Sequence, residues 1–263
     1  MAERAMGKLT ARPGERALGV LAVAGLAASA VMSLIVSPPD VEQGTLIRLM
    51  YVHVPSAWIA YLSFGVVFLA SIAYLRTKRT RWDRLAAASA EVGVLFTALT
   101  IALGSIWAKP VWGTWWTWDP RLTTTAIMLL IYVGYLAVRR IPDSPSRRAR
   151  WAAVVGIVGF ADVPIVHLSV RWWRSLHQAP ARLIGVPDIA PTMGAALGVA
   201  FLAFTLVYLY LMALRLRVGR LEDRLVAEAL SPRVGEPVEV LLENRRSSSA
   251  TGPVDSEEVH ARG

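Results

Sequence analysis

Four tryptophans fall within seven residues of one short segment, residues 112–123, which reads WGTWWTWDPRLT. Tryptophan has an apolar ring and a polar N–H, so it is common at membrane interfaces. An aromatic belt at the membrane interface explains one or two tryptophans at each helix end, but it explains four in seven residues poorly. A flat apolar platform with a polar rim suits a large planar hydrophobic ligand. Both interpretations stay open on these residues alone.

The spacing within this segment gives a conditional prediction about orientation. If the segment contains a helical turn, positions i, i+3, i+4 and i+7 share one face. The residues at those positions are Trp112, Trp115, Trp116 and Asp119. Trp118 then points elsewhere, and Pro120 is expected to stop the turn because it disfavours helix at the residue before it.

Histidine is scarce, and three of the four histidines are predicted to lie on the same side of the membrane, near one depth. His53 lies in MYVHVPSAW, His167 in VPIVHLSVRWW and His177 in SLHQAP, whereas His260 is near the C-terminal end. A lone histidine is usually a hydrogen-bonded packing residue. Two histidines at one depth on different helices can instead bind iron axially from opposite faces. Together with the tryptophans, they favour a metalloporphyrin as the ligand.

Other polar residues near these segments allow more than one interpretation. Arg121, Arg171 and Arg174 either anchor helix ends or pair with carboxylates of a ligand. Asp162 lies five residues before His167, where a carboxylate can orient an imidazole or take part in a proton relay, although the spacing puts it off the histidine's face. Glu91 is expected to extend its carboxylate to the nearer membrane surface.

The elements that carry these residues are predicted to be membrane helices. The chain has 263 residues, 55% of them hydrophobic, and a mean hydropathy of +0.46, which indicates a membrane protein. Six apolar runs approach or exceed the roughly 20 residues that a spanning helix needs. They lie near residues 17–37, 52–75, 85–108, 122–138, 151–169 and 192–214. The predicted fold is an all-α polytopic bundle of six transmembrane helices.

The net charge of +9 follows the predicted topology. Lys and Arg number four before the first run, then one, five, two, five and three in the successive loops, and the tail is again rich in Arg. This alternation predicts that both termini are cytoplasmic and that the Trp-rich loop and the loops at 38–51 and 170–191 face outside. The basic charge therefore reports topology, and no nucleic-acid partner is expected.

The predicted domain organisation has two parts. Residues 1–214 form the transmembrane domain, with the Trp-rich loop at about 109–121, and residues 215–263 form a partly disordered cytoplasmic tail. The chain has no cysteine, which excludes disulfides and thiolate chemistry. It also has no phosphate-binding Gly-rich motif, so any energy for transport must come from a partner.

Three segments together resemble one protein family. WGTWWTWDPRLT is similar to the "WWD" signature of the haem-handling membrane proteins of cytochrome c maturation, most closely that of the CcmC, or haem exporter protein C, family. MYVHVPSAW and PIVHLSVRWWRSLHQ resemble the family's two histidine segments, and GSIWAKPVWGTWW extends the match. The resemblance covers roughly residues 17–214.

The resemblance implies a haem-delivery role rather than an enzyme. His53 and His167 correspond to the axial ligands of the iron. The haem-contacting loop corresponds to Trp112, Trp115, Trp116, Trp118 and Asp119. Haem b is the transient cargo, presented on the periplasmic side of the bacterial inner membrane to the chaperone CcmE. The ABC-type subunits CcmA and CcmB and the small protein CcmD are the other implied partners, besides membrane lipid. Asp162 departs from the family, which commonly has Asn there, and so do Glu91 and the longer tail.

Two alternatives remain. In a transporter or channel subunit, the tryptophans would be only an interfacial belt, and a polar path would cross the bilayer. The predicted helices are nearly free of ionisable groups, which argues against a channel for ions. A membrane lyase that joins haem to a cytochrome is the other alternative. The larger members of this superfamily have more helices and more histidines than this chain.

Overall fold

The computed structural model describes residues 12–141, 144–177 and 190–230, and these residues are almost entirely helical. No strand occurs within them, apart from one isolated backbone bridge between Asp40 and Gly44. The α-helices are α1 (Pro13–Val31), α2 (Met50–Thr77), α3 (Thr80–Trp112), α4 (Pro120–Val138), α5 (Pro145–Gly159), α6 (Asp162–Trp172) and α7 (Pro191–Leu230). A π-helix at Met32–Val36 continues α1, and a 3₁₀-helix at Thr45–Leu49 leads into α2.

Six helical segments are long and apolar enough to cross a membrane, which confirms the predicted fold class. They are Pro13–Val36, Thr45–Thr77, Thr80–Trp112, Pro120–Val138, Pro145–Trp172 and Pro191–Leu225. They contain the six predicted runs, apart from residue 37 at the end of the first, and extend most of them by between one and eleven residues at an end.

Two compact units divide the chain at Gly219, and all residues of the candidate site belong to the first, Met1–Gly219. In the second unit, Arg220–Gly263, residues 220–230 are helical. The disorder predicted for the end of the tail concerns residues that lie outside the described part of the chain.

The fifth span, which Pro164 is expected from the sequence to interrupt, is divided into α5 and α6. Pro164 has no N–H, so it cannot donate to the carbonyl of Phe160 as a helix would require. That carbonyl instead accepts the N–H of Val163 at 3.1 Å, and a new helix begins at Asp162. His167 therefore lies on a separate helix, α6, which has its own N-terminus.

Close packing between α2 and its neighbours forms the core of the bundle. Phe64 of α2 is fully buried and stacks on Tyr132 of α4, with ring centroids 3.5 Å apart. A Cβ at Gly93 of α3 would lie 2.5 Å from the Phe64 ring, so only glycine allows this approach. Small residues commonly have this role between membrane helices, where close backbone contact provides the packing energy.

Ion pairs join the helices at the end of the bundle opposite the Trp-rich loop. Arg139 of α4 binds both carboxylate oxygens of Asp83 of α3, at 2.6 and 2.9 Å. Arg217 of α7 binds Glu15 of α1 at 3.0 Å. The pairs therefore link α3 to α4 and α1 to α7.

Glu91 also has a partner on another helix. Its carboxylate forms an ion pair with Arg215 of α7, and both side chains are partly exposed. The sequence led us to expect that Glu91 would extend its carboxylate to the nearer membrane surface. The position of the arginine on a helix more than a hundred residues away explains how the carboxylate is accommodated.

Candidate functional site

The Trp-rich loop connects α3 to α4 without a helical turn. Trp112 is the last residue of α3, and Gly113 caps the helix with φ +77°, its N–H donating to the Lys109 carbonyl at 3.0 Å. Residues 113–119 are not helical. The condition for three indoles and Asp119 to share one face, a helical turn in this segment, is therefore not met. The left-handed glycine ends α3 before a further turn can form.

The four tryptophans of this loop differ in exposure. Trp115 and Trp118 are 57% and 82% exposed, whereas Trp112 and Trp116 are half-buried. The rings of Trp116 and Trp118 meet edge to face, with centroids 5.9 Å apart. The loop thus has apolar indole surface available to a ligand, supported by indoles that pack against the protein.

Asp119 fastens the end of this loop. It is the N-cap of α4, and its carboxylate accepts the N–H of Arg121 at 2.9 Å and the N–H of Leu176 at 2.8 Å. Its exposure is only 6%. Burial alone would raise the pKa of Asp119, but hydrogen bonds from the Ser175 hydroxyl and the two N–H groups outweigh it and lower the pKa. The carboxylate is therefore ionised and fully engaged inside the protein.

His177, whose role the sequence left open, lies beside this carboxylate. Its Nδ1 is 3.3 Å from Oδ1 of Asp119, but this contact lacks hydrogen-bond alignment, and the ring packs against Trp112 with centroids 5.0 Å apart. Burial lowers the pKa of His177, and the Arg121 charge lowers it further, whereas Asp119 acts in the opposite direction. The segment after α6 is thus joined to the Trp-rich loop at several atoms.

His53 lies in the first turn of α2 and faces α3. Its ring meets Trp107 edge to face, with centroids 5.8 Å apart. A Cβ at Gly104 would lie 3.0 Å from His53 Cε1. Nδ1 of His53 is buried and has no hydrogen-bond partner of normal geometry within the described residues. Steric contacts with α3 therefore define the position of this imidazole.

His167 lies on α6 and is exposed, unlike His53. One side of its ring faces Tyr61 of α2, with centroids 6.3 Å apart. Its backbone carbonyl accepts a hydrogen bond of 3.4 Å from Nη2 of Arg121. An exposed imidazole on a helix held in this way is accessible to a ligand from outside.

Arg121 interacts with both His53 and His167, in different ways. Its guanidinium contacts His167 through the carbonyl, and His53 lies within electrostatic range of both Arg121 and His177. Arg171, in the last turn of α6, and Arg174, two residues beyond its end, are exposed. Asp162 is 9% exposed at the start of α6, and its Oδ2 has no hydrogen-bond partner in the described part of the chain. The structure thus brings Arg121, rather than Asp162, to the histidine pair.

The donor set at this end suits an amphipathic metal complex. Imidazole nitrogens are common ligands for iron, and two histidines on different helices carry them here. The exposed indoles offer apolar surface, and the guanidinium of Arg121 has the charge and geometry to pair with acidic groups. These three features occur together at one end of a membrane bundle.

A family model described as "Heme exporter protein C" (CcmC) matches residues 4–231, which include every residue of this site. The chain belongs to the CcmC family. Haem handling in cytochrome c maturation, by a multi-pass membrane protein, is therefore its general role.

Named relatives agree with this membership. The heme exporter protein C of Bradyrhizobium diazoefficiens is 40% identical over 187 residues, 70% of this chain and 71% of the relative. That of Escherichia coli K12 is 34% identical over 181 residues, 69% of this chain and 73% of the relative. A putative cytochrome c biosynthesis ccmC-like mitochondrial protein of Marchantia polymorpha is 38% identical over 147 residues, 56% of this chain and 62% of the relative.

Sequence reasoning missed part of the site in this CcmC family member. Gly104 and Trp107 contact His53, and Gln43 binds Trp107, but none of the three was assigned to the site from the sequence. A glycine three residues before a tryptophan in an apolar helix was the available signal. The contact between Gln43 and Trp107 cannot be recognised from a local sequence pattern, because 64 residues separate the two positions.

Proposed function

We propose that this CcmC family member binds haem on the outer, periplasmic face of the bacterial inner membrane and presents it to the chaperone CcmE. His53 and His167 are the axial ligands of the iron. The indoles of Trp112, Trp115, Trp116 and Trp118 cover the porphyrin. The observation that carries this proposal is that Arg121, just after the Trp-rich loop, binds the backbone carbonyl of His167 and also interacts electrostatically with His53.

The surroundings of His53 support its assignment as a ligand. A ligating histidine must be held in one orientation, because free rotation weakens coordination. Trp107 and the close approach of Gly104 restrict the ring of His53. The ring is therefore oriented by the protein before any iron arrives.

The exposure of the Trp-rich loop supports its assignment as the surface that covers the porphyrin. Trp115 and Trp118 expose large apolar areas, and burying such area against a ligand contributes about 25 cal/mol per Å². Asp119 belongs to the loop that the family uses for haem, but its carboxylate already receives two backbone N–H groups. We assign Asp119 to holding this loop in place and Arg121 to pairing with a haem propionate.

In this proposal, haem is cargo, not a substrate for chemistry. The protein supplies binding and orientation, and CcmE receives the haem. The sequence carries no nucleotide-binding motif, so the energy for release of the loaded chaperone comes from the ABC-type subunits CcmA and CcmB, with CcmD as the further member of the complex.

The visible absorption spectrum of the detergent-purified protein tests the ligand assignment. Co-expression with ample haem is expected to give a bis-histidine haem spectrum, which His53→Ala and His167→Ala each abolish or alter. His260→Ala is the matched control and should retain the wild-type bands. His177→Ala should keep the band positions, since His177 is not assigned as a ligand.

Two results contradict this proposal. Wild-type protein without haem, after co-expression with haem and CcmE, would favour the belt interpretation of the tryptophans and a transporter subunit. Wild-type bands in either single variant would remove that histidine from the ligand set. If His177→Ala alone altered the bands, the axial pair would have to be reassigned to include it.

A further inference from the structure

We propose that Gln43 is a positioning residue for His53 and that it acts through the indole of Trp107. This inference rests on the proposed function, in which His53 is an axial ligand. It concerns the first outer loop, residues 37–44, which contains neither a ligand histidine nor any part of the Trp-rich loop.

The first step is the contact between Gln43 and Trp107. The indole Nε1 donates to Oε1 of Gln43 at 2.8 Å, a normal length for a strong N–H···O bond. Because the indole N–H is the only polar group of the ring, this bond fixes the direction of the ring plane. The edge-to-face contact with His53 then depends on that plane.

The second step is the confinement of the imidazole between two residues of α3. Gly104 and Trp107 are three residues apart and lie on the same side of the helix. A Cβ at Gly104 would be 3.0 Å from His53 Cε1, so the imidazole packs closely on the helix backbone there. Trp107 borders the imidazole one turn further along α3.

The third step is the state of His53 Nδ1. A ligating histidine usually donates its second N–H to a carboxylate, carbonyl or water, and that bond fixes the ring. Here no hydrogen bond of normal length and angle reaches Nδ1 within the described residues. The carbonyl of Thr100 lies close enough to interact with the imidazole but falls outside those limits. Contacts with Gly104 and Trp107 therefore replace the usual hydrogen bond.

The fourth step is the rigidity of the loop that carries Gln43. The carboxylate of Asp40 accepts the N–H groups of Glu42 and Gln43, at 3.0 and 2.9 Å. Asp40 and Gly44 exchange two backbone hydrogen bonds of 3.0 Å each. Gly44 has φ +56°, and a Cβ there would meet nothing within 4 Å, so glycine serves the backbone conformation rather than the packing. These hydrogen bonds hold the backbone from which the Gln43 side chain reaches Trp107.

The experiment compares four variants by electron paramagnetic resonance of the oxidised haem-loaded protein. The g-values of a bis-histidine haem depend on the relative orientation of the two imidazole planes. Gln43→Leu removes the acceptor, and Trp107→Phe removes the donor but keeps an aromatic ring. Gln43→Glu keeps an acceptor. Glu42→Leu is the matched control, because Glu42 is exposed on the same turn and only its backbone N–H binds Asp40.

We expect Gln43→Leu and Trp107→Phe to shift the g-values in the same direction and to weaken haem retention by about 10-fold, the lower end for loss of a group that orients a ligand. The g-values of the double variant, Gln43→Leu with Trp107→Phe, should match those of the single variants, since each substitution removes the same hydrogen bond. Gln43→Glu should restore the wild-type signal, and Glu42→Leu should leave it unchanged.

Wild-type g-values in Gln43→Leu, or additive shifts in the double variant, would overturn the inference. If Gln43→Leu does not fold, Trp107→Phe and Gln43→Glu still decide it. His53→Ala separates this inference from the proposed function. Loss of the signal in His53→Ala together with no shift in Gln43→Leu refutes only the role of Gln43. An unchanged signal in His53→Ala refutes the ligand assignment itself.

Discussion

The carboxylate of Asp119 accepts the backbone N–H of Leu176 at 2.8 Å, across 57 residues of sequence. The same carboxylate caps α4 through the N–H of Arg121, and Arg121 in turn binds the carbonyl of His167. The aspartate of the WWD signature therefore joins the Trp-rich loop to the segment after α6 directly and to His167 on α6 through Arg121. Its contribution is to hold these parts in one arrangement.

Asp119→Asn should release the segment after α6. An amide offers one acceptor oxygen, so at least one of the two backbone N–H groups is left without a partner, at a cost of roughly 1–3 kcal/mol. Hydrogen exchange followed by mass spectrometry should show faster exchange over residues 173–177. Thr117→Val is the control, because the hydroxyl of Thr117 is buried without a partner in the described part of the chain. Wild-type exchange in Asp119→Asn would refute this role.

Acidification should loosen the same segment through His177. The pKa of His177 in the closed protein lies below its ordinary 6.5, so the open segment binds a proton more readily than the closed one. The contribution of His177 to stability is therefore complete above about pH 6.5 and is lost as the pH falls through the lowered pKa. The pKa of Asp119 is also lowered, so it acts in the same direction, but only below 3.8.

Exchange over residues 173–177, corrected for its intrinsic pH dependence, measures this effect between about pH 7 and pH 5, the range in which an ordinary histidine titrates. The wild type should become less protected as the pH falls. His177→Gln cannot titrate and should show a flat profile over this range. Equal pH profiles in the two proteins would assign the effect to a group other than His177.

Gly104→Ala should displace His53 without unfolding the helix. The new methyl would lie 3.0 Å from His53 Cε1, so the imidazole must move by a few tenths of an ångström. Faster loss of haem to an excess of a haem-free globin is the expected result. Gly198→Ala is the matched control, because a Cβ there meets nothing within 4 Å and alanine favours a helix by about 1 kcal/mol. Equal rates of haem loss in both variants would contradict the close packing of His53.

Single cysteines can test the orientation in the membrane, because the chain has none of its own. Val41 is fully exposed in the first outer loop, and Ile141 is 75% exposed after α4. The charge pattern predicts that a membrane-impermeant maleimide labels Val41→Cys in intact spheroplasts and labels Ile141→Cys only after lysis. The reverse pattern would place the haem site on the cytoplasmic side.

The sequence predicted the six spans well, because long apolar runs leave few alternatives in a bilayer. It was less specific where one residue changes the backbone. Gly113 ends α3, so the turn on which a shared tryptophan face depended does not form, and Pro164, whose interruption was visible in the sequence, divides the fifth span into two helices. The pairing of Glu91 with Arg215 could not be predicted, because it depends on which helices become neighbours.

The site residues show the same distinction. His53 and His167 could be chosen from the sequence because histidine is scarce and both lie near the ends of apolar runs. The contacts of Asp119 with Leu176 and of Trp107 with Gln43 join residues more than fifty positions apart. A single sequence carries no information about such partners. The roles of these residues as haem ligands and haem contacts remain predictions.

The two histidines differ in exposure, since His53 packs on α3 whereas His167 is open to the surroundings. If both bind haem iron as proposed, such a pair would have one inert and one labile position. An incoming ligand from an acceptor protein would then approach on the His167 side, while His53 would retain the haem. We therefore expect ligand substitution to proceed in a fixed order, which gives haem transfer a direction without any movement of the bundle.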